Sequence, residues 1–202
     1  MIEADTDGPI WTLTINRPHK AGALTEAMLQ ELVARCGAAK DARALILTGT
    51  GKVFSAGADL DAAKSGLAVS PLWEALSGTI AALPCLTIAA LNGTVAGGAN
   101  GMVLACDMRI AAPGTKFFYP VMRLGYLPQP SDPVRMTALV GPARTKMVLL
   151  AGQKIDAATA YQFGLVDEIV DDGDMTARAR ALCSDVVSAG AATARAIKGL
   201  CP

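Results

Sequence analysis

Leu91-Asn-Gly-Thr-Val-Ala-Gly-Gly-Ala-Asn-Gly-Met-Val-Leu-Ala-Cys-Asp107 is the stretch on which the reading of this chain turns. An apolar run from Cys85 to Leu91 reads as a buried strand, and Asn92-Gly93 ends it in a turn. The chain then passes through Gly97-Gly98 into small and apolar residues that fit a tightly packed helix. A strand, a glycine turn and a helix start expose backbone N–H groups that lack intrahelical partners and lie along a favourable dipole. Such a corner accepts negative charge, either a standing phosphate or an oxyanion formed during a reaction. Glycine lets a ligand approach the backbone because no Cβ intervenes. A Gly-rich crossing of helix and strand has the same letters, so a second stretch is needed to choose between the two.

The rest of the composition narrows the class. With 202 residues the chain can bury the core of one domain. Eighteen basic and eighteen acidic residues cancel, with no block of either sign, which argues against nucleic acid or an anionic membrane as partner. Hydrophobic residues reach 52%, yet no run approaches the ~18–20 apolar residues of a membrane span. The first residues, Met1-Ile-Glu-Ala-Asp5, are acidic and lack a signal-peptide core. Cys36, Cys85, Cys106, Cys183 and Cys201 are odd in number and widely spaced, and with a single His19 they form no metal-ligand pattern. Reduced thiols, no metal and a cytoplasmic location are the expectations.

Outward from the central stretch, strands and helices alternate. Trp11, Leu13 and Ile15 alternate with Thr12 and Thr14 as in a half-buried strand, broken at Asn16-Arg17-Pro18. Thr25 is placed to cap a helix whose inner face carries Leu29, Leu32, Val33 and Cys36. Ala44–Thr48 reads as a short buried strand. Ser70-Pro71 starts a helix with Leu72, Leu76, Thr79, Ile80 and Leu83 inward, stopped by Pro84. Residues 109–111 and 116–118 read as short strands. Helices follow from Ser131-Asp132-Pro133, from Gly141-Pro142 to Gly152, and from Asp156 to Gly164. Residues 165–170 read as a last strand, and two alanine-rich helical stretches close the chain. The alternation predicts an α/β fold with largely parallel strands.

Gly49-Thr-Gly-Lys52 invites comparison with a P-loop, but Ile46 stands where its first glycine belongs and Val53 follows the lysine. More informative is Val53-Phe-Ser-Ala-Gly-Ala-Asp-Leu60, whose small residues leave a second set of backbone donors open. Two donors from separate loops converging on one point make an oxyanion hole. This pair of stretches resembles the crotonase, or enoyl-CoA hydratase/isomerase, superfamily. The resemblance extends in order through Asn16-Arg17-Pro18, Ala23-Leu24, Phe118, Pro120, Leu124-Gly125, residues 141–150 and residues 157–166, nearly the whole chain.

The resemblance implies a crotonase-like spiral of ββα units over about residues 1–170 and a shortened helical region over about 171–202, in a single domain. It implies a coenzyme A thioester as substrate, no separate cofactor, and a homotrimer or a dimer of trimers. The thioester carbonyl would lie between the N–H groups of Ala58 and Gly98. Ala56, Ala58, Asp59 and Leu60 would border the adenine and pantetheine, with Lys20, Ala21 and Ala23 on the opposite wall and Gly97, Gly101, Pro120, Val121 and Gln129 also lining the site. Lys20 fits a coenzyme A phosphate, and equally a solvated loop.

The pattern departs where hydratases carry two glutamates: the first falls on Gly101 and the second on Val121, neither of which transfers a proton. Losing one positioned acid or base typically lowers a rate by ~10²–10⁴. Substitutes are Asp132, which also suits a helix N-cap, and Tyr126, with Tyr119, Glu74, Asn100 and Gln129 as weaker candidates that each have a structural explanation. Three readings stay open: a family enzyme with other acid–base groups, an acyl-CoA-binding protein without turnover, and a decarboxylase or thioester hydrolase using the same oxyanion.

Overall fold

The computed structural model describes residues 1–201. Its elements in chain order are β1 (Ile2–Asp5), β2 (Ile10–Ile15), α1 (Glu26–Ala38), β3 (Ala44–Gly49), β4 (Val53–Ser55), α2 (Leu60–Lys64), α3 (Leu72–Ala81) and β5 (Leu86–Leu91). Then come β6 (Thr94–Ala96), α4 (Ala99–Leu104), β7 (Met108–Ala111), β8 (Lys116–Phe118), α5 (Val121–Leu124), α6 (Ser131–Val140) and α7 (Pro142–Leu149). The chain continues through β9 (Ile155–Asp156), α8 (Ala157–Phe163), β10 (Glu168–Ile169), α9 (Met175–Ala181), α10 (Ser184–Ser188) and α11 (Ala191–Leu200).

The strands sort into two sheets, one ordered β1-β2-β3-β5-β7-β10 and the other β4-β6-β8-β9. Successive ββα units (β3-β4-α2, β5-β6-α4, β7-β8-α5) send their first strand to the large sheet and their second to the small one. The β2, β3, β5, β7 and β10 neighbours pair in parallel, whereas β1 runs antiparallel to β2. Parallel sheets bury both faces. Accordingly Leu45 and Leu47 of β3 enter one apolar cluster with Leu13, Leu29 and Phe54, while Ala44 and Ile46 enter another with Ile88, Met175 and Ala179.

Local chemistry sets several boundaries as the sequence predicts. Thr25 Oγ1 accepts the N–H of Met28 at 3.3 Å, and Asp156 Oδ1 accepts that of Thr159 at 2.8 Å. Gly164 ends α8 in a left-handed turn. Four expectations need correction. The 165–170 strand contracts to β10 because Leu165 and Val166 turn into the core instead of continuing the sheet. The closing helices number three among the described residues, α9, α10 and α11. Helix α3 begins after Pro71, with Ser70 Oγ accepting the N–H of Leu72 at 3.3 Å. Its buried face carries Trp73, Leu76, Ser77 and Ile80, leaving Leu72 and Thr79 half-buried. The indole fits inside because its N–H reaches the Leu67 carbonyl at 2.8 Å.

The last helix is fastened to the large sheet. Lys198 Nζ donates to the Cys85 carbonyl and to Asp107 Oδ2, both at 2.7 Å, and the same oxygen accepts the N–H of Thr87 at 2.8 Å. Among the described residues no helix is long and apolar enough to cross a membrane.

Candidate active site

Strand β6, hidden between Asn92-Gly93 and Gly97-Gly98, decides the site's geometry. It pairs in parallel with β4, placing Ser55 opposite Val95, so the loops that leave the two strands start side by side. They touch through glycine. A Cβ on Gly57, whose φ is +86°, would lie 2.8 Å from the Ala96 carbonyl oxygen and 3.5 Å from the Gly97 Cα. One residue beyond this contact on each loop stand Ala58 and Gly98, both partly accessible to solvent. Among the described residues no acceptor takes the N–H of either. The amides around them are engaged: Gly57 to Ser55 Oγ at 3.2 Å, Asp59 to the Leu24 carbonyl at 2.8 Å, and Gly97 to the Phe118 carbonyl at 3.2 Å.

Other chain segments hold these loops still. The Ala56 N–H donates to the Ala21 carbonyl at 2.9 Å, and Ser55 Oγ donates to the Gly22 carbonyl at 2.8 Å. Arg17 Nη1 reaches the Ala23 carbonyl at 2.9 Å and Asp59 Oδ2 at 2.7 Å. The Asp59 carboxyl is held below its ordinary range, first by the Arg17 hydrogen bond and then by the N–H groups of Ala62 and Asp61. Asp59 is thereby the N-cap of α2 and a clamp on Arg17, so its expected place among coenzyme A-facing side chains changes: its oxygens are occupied within the chain. Beneath Gly98 lies Trp73, and a Cβ on that glycine would meet the indole at 2.7 Å. Sequence reading missed Trp73 because Leu72 fits the apolar face equally well.

One helical turn on from Gly98 comes Gly101, whose N–H donates to the Gly98 carbonyl at 3.1 Å. Against its bare Cα rests the carboxyl group of Asp132, from the first turn of α6. A Cβ on Gly101 would lie 2.7 Å from Asp132 Oδ1 and 3.2 Å from Oδ2. Asp132 is 0% exposed. Oδ2 accepts the Tyr119 hydroxyl proton at 2.8 Å, while Oδ1 has no partner among the described residues. Burial pushes the carboxyl up to about 6, opposed by the Tyr119 hydrogen bond and by Arg135 and supported by Glu74. Burial, followed by the nearby Asp132 charge, raises the Tyr119 phenol as well.

The N-cap role open to Asp132 in the sequence is not the one it takes. It makes no cap hydrogen bond, and Glu74 of α3 caps α6 instead, accepting the Ser131 N–H at 3.3 Å and its hydroxyl at 3.0 Å. Glu74 is therefore a structural partner of α6. The Tyr119 hydroxyl is satisfied by the Asp132 carboxyl. Asn100 staples the corner through the carbonyls of Gly97 at 2.8 Å and Phe118 at 3.2 Å.

The remaining predicted residues are distributed around this corner. Val121 is buried, Pro120 and Gln129 are partly buried, and the Gln129 carbonyl accepts the N–H of Asp132 at 3.1 Å. Tyr126 lies beyond α5 at 40% exposure, with no hydrogen bond to its hydroxyl among the described residues. Ala56, Leu60 and Lys20 are exposed, Ala21 is half-buried and Ala23 buried. Lys20 forms no ion pair among the described residues. A cavity of about 920 Å³ lies elsewhere, between α11 and a wall that includes Leu104, Cys106, Arg135 and Leu139, and neither Gly98 nor Asp132 lines it. No cluster of His, Cys, Asp and Glu able to hold a metal occurs among the described residues.

A chain whose successive ββα units feed two sheets in alternation has the architecture of the crotonases. Its solved relatives agree. Enoyl-CoA hydratase from Bacillus anthracis superposes with a TM-score of 0.89 at 29% identity, over 98% of this chain and 81% of that one. DspI of Pseudomonas aeruginosa superposes with a TM-score of 0.90 at 30% identity, over 98% and 85%. In sequence, a probable enoyl-CoA hydratase of Mycobacterium bovis, echA8, is 32% identical over 98% of this chain and 79% of its own length. A short-chain-enoyl-CoA hydratase of Clostridium acetobutylicum is 31% identical over 91% and 74%. The family model for enoyl-CoA hydratase/isomerase matches residues 5–200. The chain belongs to the enoyl-CoA hydratase/isomerase family.

Proposed function

We propose that this protein binds an acyl-CoA thioester and stabilises negative charge on its carbonyl oxygen through the N–H groups of Ala58 and Gly98. One observation carries the reading: two amides without acceptors stand one residue beyond a backbone contact between their loops. Donors fixed before charge develops bind an enolate-like oxygen more strongly than a neutral carbonyl, which is how binding becomes rate acceleration. Each such donor is worth roughly 3 kcal/mol of transition-state stabilisation. The family's enoyl-CoA relatives support the thioester as substrate class. Exposed Ala56 and Leu60 and the half-buried Ala21 border the open side on which the coenzyme A portion rests, and unpaired Lys20 is available to a phosphate.

The test is titration with butyryl-CoA and crotonyl-CoA against free coenzyme A, together with vibrational spectroscopy of the bound, carbon-13-labelled thioester carbonyl. Two amide donors shift that carbonyl stretch to lower frequency on binding. Failure of both thioesters to bind, or a bound carbonyl with its solution frequency, overturns the reading.

A further inference from the structure

We infer that Asp132 is the proton-transferring group of this site: its free Oδ1 removes a proton from the carbon beside the thioester carbonyl and returns it to that carbon or to another along the acyl chain. The inference rests on the proposed oxyanion site and adds the group that acts beside it. Three observations meet at one point. Asp132 is fully buried, its Oδ1 has no partner, and the space it occupies exists because residue 101 has no side chain. A buried carboxylate oxygen with no donor is costly. Most buried polar atoms in folded proteins are satisfied, so an unpaired one calls for a reason. A structural aspartate would have used both oxygens, as Asp59 does with Arg17 and two amides.

Position supplies the reason. Gly98 and Gly101 are three residues apart on one turn, hence neighbours about 5–6 Å apart on the same face. A thioester whose oxygen rests on the Gly98 amide brings the adjacent carbon to the face of α4 that Asp132 overlies. The step balances without a co-reactant. The carbon–hydrogen bond breaks, its electron pair moves into the carbonyl to form the enolate, and the proton forms an O–H bond at Oδ1. The enolate then collapses as Oδ1 delivers a proton back to carbon, with no net oxidation or reduction. Exchange of the Oδ1 proton with solvent before that return is what lets deuterium enter. Tyr119 is a positioning residue, since its hydroxyl holds Oδ2 and leaves Oδ1 as the reacting oxygen.

The charged groups around Asp132 are Glu74 from α3 and Arg135 from α6, with the Tyr119 hydroxyl following β8 and Gly101 facing it from α4. Burial dominates this set. The base form therefore grows in as pH rises through about 6, and exchange rises with it. A single carboxylate oxygen suits proton exchange and double-bond migration, whereas hydration also needs a second group to activate water.

The experiment follows deuterium entry at the α-carbon of butyryl-CoA in heavy water by NMR, and conversion of 3-butenoyl-CoA to crotonyl-CoA. Expected for Asp132→Asn is a loss of ~10²–10⁴ in exchange with butyryl-CoA affinity retained by calorimetry. For Tyr119→Phe the expected result is an exchange profile displaced to higher pH, because a hydrogen bond to the charged form is gone. Exchange by Asp132→Asn at the wild-type rate, or wild-type protein that binds butyryl-CoA without exchanging it, overturns the inference while sparing the oxyanion reading. Hydration of crotonyl-CoA faster than α-carbon exchange overturns the assigned reaction class. Absence of thioester binding defeats both proposals together.

Discussion

Replacing Asp132 with asparagine should stabilise the protein relative to wild type as pH rises, even as it removes the proposed base. Burial lifts the carboxyl from 3.8 to about 6. A raised carboxylate value means that the folded state holds the proton more tightly than the unfolded chain does. The stability this contributes is complete below the unfolded value and is lost as pH climbs through the folded one. At about 1.4 kcal/mol per pH unit, the rise from 3.8 to about 6 is worth on the order of 3 kcal/mol. Asparagine does not titrate, so its difference from wild type should swing by that amount in favour of the variant between about pH 4 and about pH 7. Asparagine keeps the acceptor for Tyr119 but places an unpaired N–H₂ where Oδ1 was, a penalty of roughly 1–3 kcal/mol independent of pH. The slope, not the offset, is therefore diagnostic. Urea denaturation of both proteins across that range measures it, with other titrating groups common to both. A difference that stays flat from about pH 4 to about pH 8, or that moves toward wild type, would refute the claim that burial governs this carboxyl.

Further outcomes follow from other contacts. Gly98→Ala places a Cβ 2.7 Å from the Trp73 ring and should cost about 1–3 kcal/mol in denaturation while weakening thioester binding. Unchanged affinity would show that the Gly98 loop is not where the thioester rests. Arg17→Leu removes the tie between Ala23 and Asp59 and should destabilise the protein, with faster proteolysis in the segment over residues 56–66. Wild-type protease resistance would contradict the clamp. Native protein should present one fast thiol, Cys201, because Cys36, Cys85, Cys106 and Cys183 are buried and their thiols pushed up, chiefly by burial. Rapid labelling of Cys36, whose thiol is pushed up to about 12, would contradict that packing.

What the sequence discloses and what it conceals divide along a physical line. Thr25, Asp156 and Gly164 are legible because each acts on backbone within a few residues of itself. The alternation of elements gives the α/β class, and the ordered Gly-rich stretches give the family. Strands β4 and β6 escape notice because each is three residues set between glycines (Gly51 and Gly57, Gly93 and Gly97), so their letters read as part of a turn. Concealed most completely is the position of Asp132. An aspartate before proline at a helix start reads as a cap, and only tertiary contact brings it to Tyr119, 13 residues earlier, and to the bare Cα of Gly101. The one available hint is the pairing of a missing acid at 101 with an extra one at 132.

The paired loops carry an evolutionary consequence. Their donors belong to the main chain and are aimed by strand register, so substitution of neighbouring side chains leaves them intact. The Asp132 carboxyl, by contrast, rides on another helix and reaches this corner through Tyr119 and the bare Cα of Gly101. A lineage can thus discard one proton carrier and recruit another from a different part of the chain without rebuilding the anion cradle. On the proposed reading, the titrating group can change place in the chain while the main-chain anchor stays where strand register puts it.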